Sequence, residues 1–204
     1  VPGPKLVVGL GNPGRSYQGS RHNAGFRVAD ALVREAGASF RSAGGLRIAR
    51  LDPAHCSLSV VKPVTSMNRS GDGLAPWLAR RCLDLANLLV VHDDLDLPVG
   101  RLRFKRSGSA GGHRGVQSLI ERLGDGGFPR LKIGVGRPPE GVDPIEYVLR
   151  RPDQSERALL DDAVARACNA CLLWAREGLE AAMNVYNAAL PCSRERGDQG
   201  EESR

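Results

Sequence analysis

Long apolar runs, aromatic rings and paired cysteines are what this sequence has least of. No stretch of eighteen apolar residues occurs, so no membrane-spanning helix is expected. The first residues, Val1 to Lys5, lack the charged-then-apolar order of a secretory signal, and the expectation is a cytoplasmic protein that touches no membrane. Only 4% of the residues are Phe, Trp or Tyr, which leaves few rings on which bases could stack. A nucleic-acid partner would then be held by shape and phosphate contacts rather than by base reading. The cysteines (Cys56, Cys82, Cys168, Cys171 and Cys192) are odd in number and dispersed, as reduced thiols are, not as a disulfide framework is. Cys168 and Cys171 form the one close pair. They sit inside a strong helical pattern with no second Cys or His pair nearby, which favours packing over zinc or redox work.

What is present points to one compact domain: 204 residues, 41% of them hydrophobic, can bury one sizeable core. The formal net charge is +6, and its distribution matters more than its size. Between Arg101 and Ile120 lie Arg101, Arg103, Lys105, Arg106 and Arg114 with no acidic residue, a composition suited to a polyanionic partner. An acidic stretch from Asp198 to Glu202 offsets this in the total.

Lys5 to Leu10 reads as a buried strand running into the tight loop Gly11-Asn12-Pro13-Gly14. Apolar residues at 26, 29, 32, 33 and 36 then follow helical spacing, and Gly37 is a stop signal. Strands are expected over 46–51, 57–62, 88–91, 100–105 and 131–135, with helices over about 74–82 and 116–123. Pro152 to Glu156 carries helix-start chemistry, positions 160, 164, 167, 171 and 174 trace one helical face, and a shorter helix follows from Leu179 to Tyr186. Such alternation favours an α/β sheet covered on both faces. The domain is expected to span 1–190, followed by a polar, unperiodic tail over 191–204 that is expected to be disordered.

In open α/β sheets ligands gather beyond the carboxyl ends of the strands. Asn12 and His22 follow the first strand, Asn68 the 57–62 strand, and Asp93 the 88–91 strand, so these four are expected to converge. Three other readings compete. Gly9-Leu10-Gly11-Asn12-Pro13-Gly14 has dinucleotide-motif spacing, but Arg15 to His22 does not read as the helix that motif needs. His92-Asp93-Asp94-Leu95-Asp96 could ligate a metal, although strand alternation would send neighbouring side chains apart. His22 could be structural; it could equally take a proton from water if a carboxylate, for which Asp93 is the candidate, fixes its tautomer. On the 100–105 strand, Arg101, Arg103 and Lys105 share one face, either a solvated surface or, with the glycine-rich 107–115 loop, a track for phosphates.

With those residues assembled, the chain resembles the bacterial peptidyl-tRNA hydrolases. The likeness runs through Gly9 to Gly14, Tyr17, Arg21 to Gly25, Lys62 to Asn68 with Ser70-Gly71, His92 to Pro98, Gly111 to Gly115, Gly134 to Pro138, Ala182 to Asn184 and Asn187. The resemblance implies a single-domain, mixed central β-sheet flanked by helices, and a monomeric esterase without metal or cofactor, acting on peptidyl-tRNA with no obligate protein partner. It makes His22 the general base and Asp93 its orienting carboxylate, with Asn12 and Asn68 holding the peptide or the reacting groups. It sets Tyr17 and Met67 in the cleft lining, and Arg103 and Lys105 on a tRNA phosphate. Two residues depart from the family pattern. Arg114 stands where a substrate-binding asparagine is usual, and Ser66 where an aromatic residue is usual. The family also resembles an organellar RNA-splicing factor that keeps the fold for binding alone, so an RNA-binding module is the competing reading, and a metal-dependent phosphohydrolase the third.

Overall fold

The computed structural model describes residues 4–51 and 57–188. Cys56, Cys192 and the expected polar tail lie outside the described residues. Seven strands form one mixed sheet: β1 (Lys5–Gly9), β2 (Arg41–Ala43), β3 (Leu46–Arg50), β4 (Leu58–Pro63), β5 (Leu88–Asp94), β6 (Leu102–Lys105) and β7 (Arg130–Gly134). Their order is β2-β3-β4-β1-β5-β7-β6, with β4, β1, β5 and β7 parallel and the outer strands antiparallel. The chain moves to one side of β1 to make β4, then crosses to the other side to make β5. That reversal opens a crevice at the carboxyl ends of the central strands.

Two helices cover each face. α1 (Ala24–Glu35) and α5 (Gln154–Glu177) pack with Val7, Leu89, Val91, Leu131 and Ile133 on one side. On the other, α2 (Ser70–Ala79) and α3 (Arg114–Leu123) pack with Leu6, Val8, Leu88 and Val90. The central β5 is buried on both faces over Leu88 to Val91, which is why it reads as a continuous apolar run rather than an alternating one. Two short helices complete the chain, α4 (Pro144–Leu149) and α6 (Leu179–Tyr186).

The two sheet-flanking glycines near the start of the chain have a packing reason. A Cβ on Gly9 would overlap the Gly25 carbonyl oxygen, and one on Gly25 would overlap the backbone of Val91 and Leu10. The missing side chains let the first turn of α1 lie directly on β1 and β5. Gly14 opens only a single 3-10 turn (Arg15–Tyr17), so the glycine spacing serves this contact and not a dinucleotide.

Two expectations need correction, and two short elements were not expected. α2 starts at Ser70, not near 74, because Gly71 sits against the Ser118 carbonyl of α3, a contact that outweighs glycine's low helix propensity. It also ends at Ala79, and Cys82 beyond it has a left-handed backbone (φ 48°). β2 and α4 were not expected from the periodicity, being too short to display a repeat. Arg101 precedes β6 and is not part of the cationic stripe: its Nη2 donates to the carbonyls of Asn187 and Ala188 (3.0 and 2.6 Å). Cys168 and Cys171 are buried in α5, and burial pushes the Cys168 thiol up to about 12, which leaves it unreactive at neutral pH.

Candidate active site

Asp93 is the hub. It ends the buried run of β5, is 3% exposed, and is met from two directions by imidazoles. His22, on a 3-10 turn (Arg21–Asn23) just before α1, places Nδ1 3.0 Å from both carboxylate oxygens. His113 places Nε2 3.0 Å from Oδ1. Burial alone would push the Asp93 carboxyl up. The two histidines outweigh it and hold the group well below the usual carboxylate range, so it is ionised at neutral pH.

The hydrogen bonds define the tautomers. His113 is the N-cap of α3 and its Nδ1 accepts from the Val116 N–H at 3.3 Å, so its proton sits on Nε2 and is donated to Asp93. An ionised Asp93 can only accept, so His22 donates from Nδ1. Its Nε2 is left with a free lone pair at the cleft surface. A third ring, His92, donates from Nδ1 to the Asp93 carbonyl oxygen (2.7 Å) and stacks edge-on to His113. Burial holds His92 well below its ordinary range, and it stays neutral.

Around this hub opens a cleft of about 640 Å³ whose lining includes Asn12, His22, Met67, Asn68, Asp93, His113 and Arg114. The loops after β1, β4 and β5 therefore meet as the strand-end argument requires. Asn12 is held from three sides: its N–H donates to Asn23 Oδ1 (2.8 Å), its carbonyl accepts from Asn23 Nδ2 (3.0 Å), and its Oδ1 accepts from the Met67 N–H (2.7 Å). With the oxygen taken, the amide nitrogen is the end left to donate. Asn68 is exposed and makes no side-chain hydrogen bond among the described residues, and the N-cap of α2 is Arg69, so Asn68 does not cap that helix. Met67 does two things, packing in the core with Val116 and flooring the cleft. A Cβ on Gly115 would overlap its sulfur.

Ser66 and Arg114 also line the cleft, Arg114 as the first residue of α3. Tyr17 does not: it lies half-buried on the earlier 3-10 turn. Arg103 and Lys105 are exposed on β6, away from the lining. Arg103 is in register with Lys132 and Lys105 with Arg130, so all four cations share one face. Lys132 is paired with Asp94, and Arg130 binds the carbonyls of Gly108 and Ser109, which holds the glycine-rich loop.

His113, Asn23, Arg21 and α4 were not among the expected parts of the site. α4 was readable from Asp143-Pro144, whose carboxylate caps Ile145 and Glu146, whereas histidine is not a usual N-cap and no signal marked His113. Nothing local marked Arg21 or Asn23.

His22, Asp93 and His113 form the set of three potential metal ligands found among the described residues. Their donor chemistry does not suit a metal. A metal-bound histidine normally donates from its other ring nitrogen, whereas Nδ1 of His113 accepts and its Nε2 proton is spent on Asp93. The His92–Asp96 run makes no ligand sphere either: Asp94 pairs with Lys132 and Asp96 with Arg137.

A base-ready imidazole on a buried carboxylate, two amides and a cation beside it, is the arrangement that comparison with known proteins can place. The family model for peptidyl-tRNA hydrolase matches residues 6–195. The chain belongs to the peptidyl-tRNA hydrolase family. It is 44% identical over 189 residues to the peptidyl-tRNA hydrolase of Syntrophomonas wolfei, covering 90% of this chain and 100% of that one. It is 46% identical over 181 residues to that of Rubrobacter xylanophilus, covering 89% and 99%. A crystal structure of the Acinetobacter baumannii peptidyl-tRNA hydrolase superposes with a TM-score of 0.84 at 31% identity, covering 91% of this chain and 95% of that one. The mixed sheet with two covered faces is thus the fold of the peptidyl-tRNA hydrolase family, and no helix among the described residues is long and apolar enough to cross a membrane.

Proposed function

We propose that this chain hydrolyses the ester between a peptide and the 3′ end of tRNA, with His22 as general base and Asp93 as the carboxylate that orients it. The observation that carries this reading is the symmetric approach of His22 Nδ1 to both Asp93 oxygens at 3.0 Å, which commits Nε2 to the cleft. Nε2 takes a proton from water, and the oxygen attacks the ester carbonyl carbon. The Asn12 and Asn68 amides are the available donors for the developing oxyanion. Asp93 stabilises the imidazolium, which then gives its proton to the departing ribose oxygen. Peptide and intact tRNA leave.

No step needs a metal or another cofactor. Met67 floors the cleft, Arg114 meets a substrate phosphate or carbonyl at its rim, and Arg103 and Lys105 hold tRNA phosphates at the sheet edge. Tyr17, on the 3-10 turn that follows the Asn12 loop, is a further contact on the peptide side. The enzyme acts in the cytoplasm as a monomer without an obligate partner.

The test is release of N-acetylated amino acid from N-acetyl-aminoacyl-tRNA, with and without EDTA, by the wild type and His22→Ala. Cleavage that survives EDTA and disappears with His22 is expected. Binding of tRNA without cleavage would instead support an RNA-binding module, and loss on chelation a metal-dependent hydrolase.

A further inference from the structure

The cleft has a second wall, made of carbon. Pro144, Ile145, Val148 and Leu149 of α4 line it, and Leu95 and Pro138 extend the same apolar surface. Ile145 is 48% exposed, one of the few large aliphatic side chains so open to solvent among the described residues, while Val148 on the same helix is 7% exposed. An aliphatic side chain left uncovered inside an active-site cleft is apolar area that a ligand can bury.

This wall is tied to the base. Arg21, adjacent to His22, donates through Nη1 to the carbonyls of Tyr147, Arg150 and Arg151 at 3.2, 3.3 and 3.3 Å, and pairs with Glu156. Its guanidinium lies 4.0 Å from the centre of the Tyr147 ring, and the Tyr147 hydroxyl donates to the Val135 carbonyl at 2.9 Å. Only 7% of Arg21 is exposed, so this clamp is built in low dielectric where such bonds are strong. The turn that presents the base therefore also fixes the height of α4 above the reacting centre.

A substrate whose ester lies at His22 has two kinds of chemistry to offer that wall. Ribose and phosphate gain nothing from aliphatic carbon, and the flat terminal bases, which stack best on aromatic or guanidinium planes, gain less from it than branched peptide side chains do. We infer that the α4 wall, with Ile145 exposed on it and Arg21 as its clamp, is a selectivity surface favouring aliphatic side chains near the esterified end of the peptide. The inference rests on the hydrolase reading above and adds the substrate preference to it.

The test compares N-acetyl-Leu-Leu and N-acetyl-Ser-Ser esters carried on one and the same tRNA body, so that the tRNA contacts are constant. Wild type should favour the leucine ester in kcat/KM by about ten-fold, the scale on which one or two buried aliphatic groups discriminate. Ile145→Ser should bring the ratio down to roughly two, acting through KM, and Ile145→Leu should restore it. Because Ile145 is half-exposed, the serine variant should fold, and its melting temperature checks that. Equal efficiency on both esters in the wild type, or a full preference surviving in Ile145→Ser, would overturn the selectivity surface while leaving the hydrolase standing. Failure of the wild type to cleave either ester would bring down the hydrolase reading itself.

Discussion

The floor of the cleft and the outer edge of the sheet both gather ionisable groups, and they handle them in opposite ways. Around Asp93 the side chains are buried and bonded to one another, and each bond fixes the tautomer or rotamer of the next. On β6, Arg103 and Lys105 stand in water on an exposed face. Chemistry that must move a proton to one atom needs the first arrangement. Attraction of a charged backbone needs only the second, because its field acts over about 8 Å at physiological salt. The two regions should therefore fail differently.

The largest separation is expected from His22→Ala. Turnover should fall by about 10³-fold or more, while tRNA affinity, followed by filter binding, stays within about two-fold. Residual turnover near the wild-type rate would mean that the base lies elsewhere. Asp93→Asn should rank next, with a loss of roughly 10² to 10⁴ in kcat, since the amide can offer its N–H to His22 and select the wrong tautomer. An unaltered kcat in a folded Asp93→Asn protein would remove the carboxylate from the mechanism.

The opposite signature is expected at the edge. Arg103→Ala with Lys105→Ala should weaken tRNA binding by about ten-fold or more and lower the slope of log K against log salt by nearly two, leaving kcat at saturation intact. If the slope does not change, the tRNA runs over another face.

The smallest effect concerns stability and isolates His92. Its folded-state pKa lies well below the ordinary 6.5, so the unfolded chain takes up a proton below pH 6.5 while the folded one does not. Stability should be fully present above pH 6.5 and fall by at most about 1.4 kcal/mol for each pH unit below it. In His92→Asn that part of the decline should vanish from urea unfolding midpoints. Asp93, whose carboxyl is lowered, adds its own loss only below about the unfolded value of 3.8.

Much of the site was legible because strand ends announce it. Asn12, Asn68 and Asp93 each follow a run that reads as a strand, and parallel strands bring such ends together. What did not show was anything dependent on a distant carbonyl. Arg101 reads as a member of a cationic stripe until Asn187 and Ala188 claim it, and nothing near Arg21 in the sequence announces the α4 carbonyls and the α5 carboxylate that enclose it. His113 carried no role in the sequence, and the structure gives it two, one nitrogen capping α3 and the other bonded to Asp93. Tyr17, matched to the family pattern, lies outside the cleft lining.

Asn187 donates through Nδ2 to the Phe104 carbonyl (3.0 Å) and accepts at Oδ1 from the Phe104 N–H (2.7 Å), bonding as a neighbouring strand would. A sheet edge is otherwise a template on which another molecule's strand can grow. By imitating that strand with a single side chain, the protein gives β6 a false neighbour and occupies the backbone groups that another chain's strand would need there.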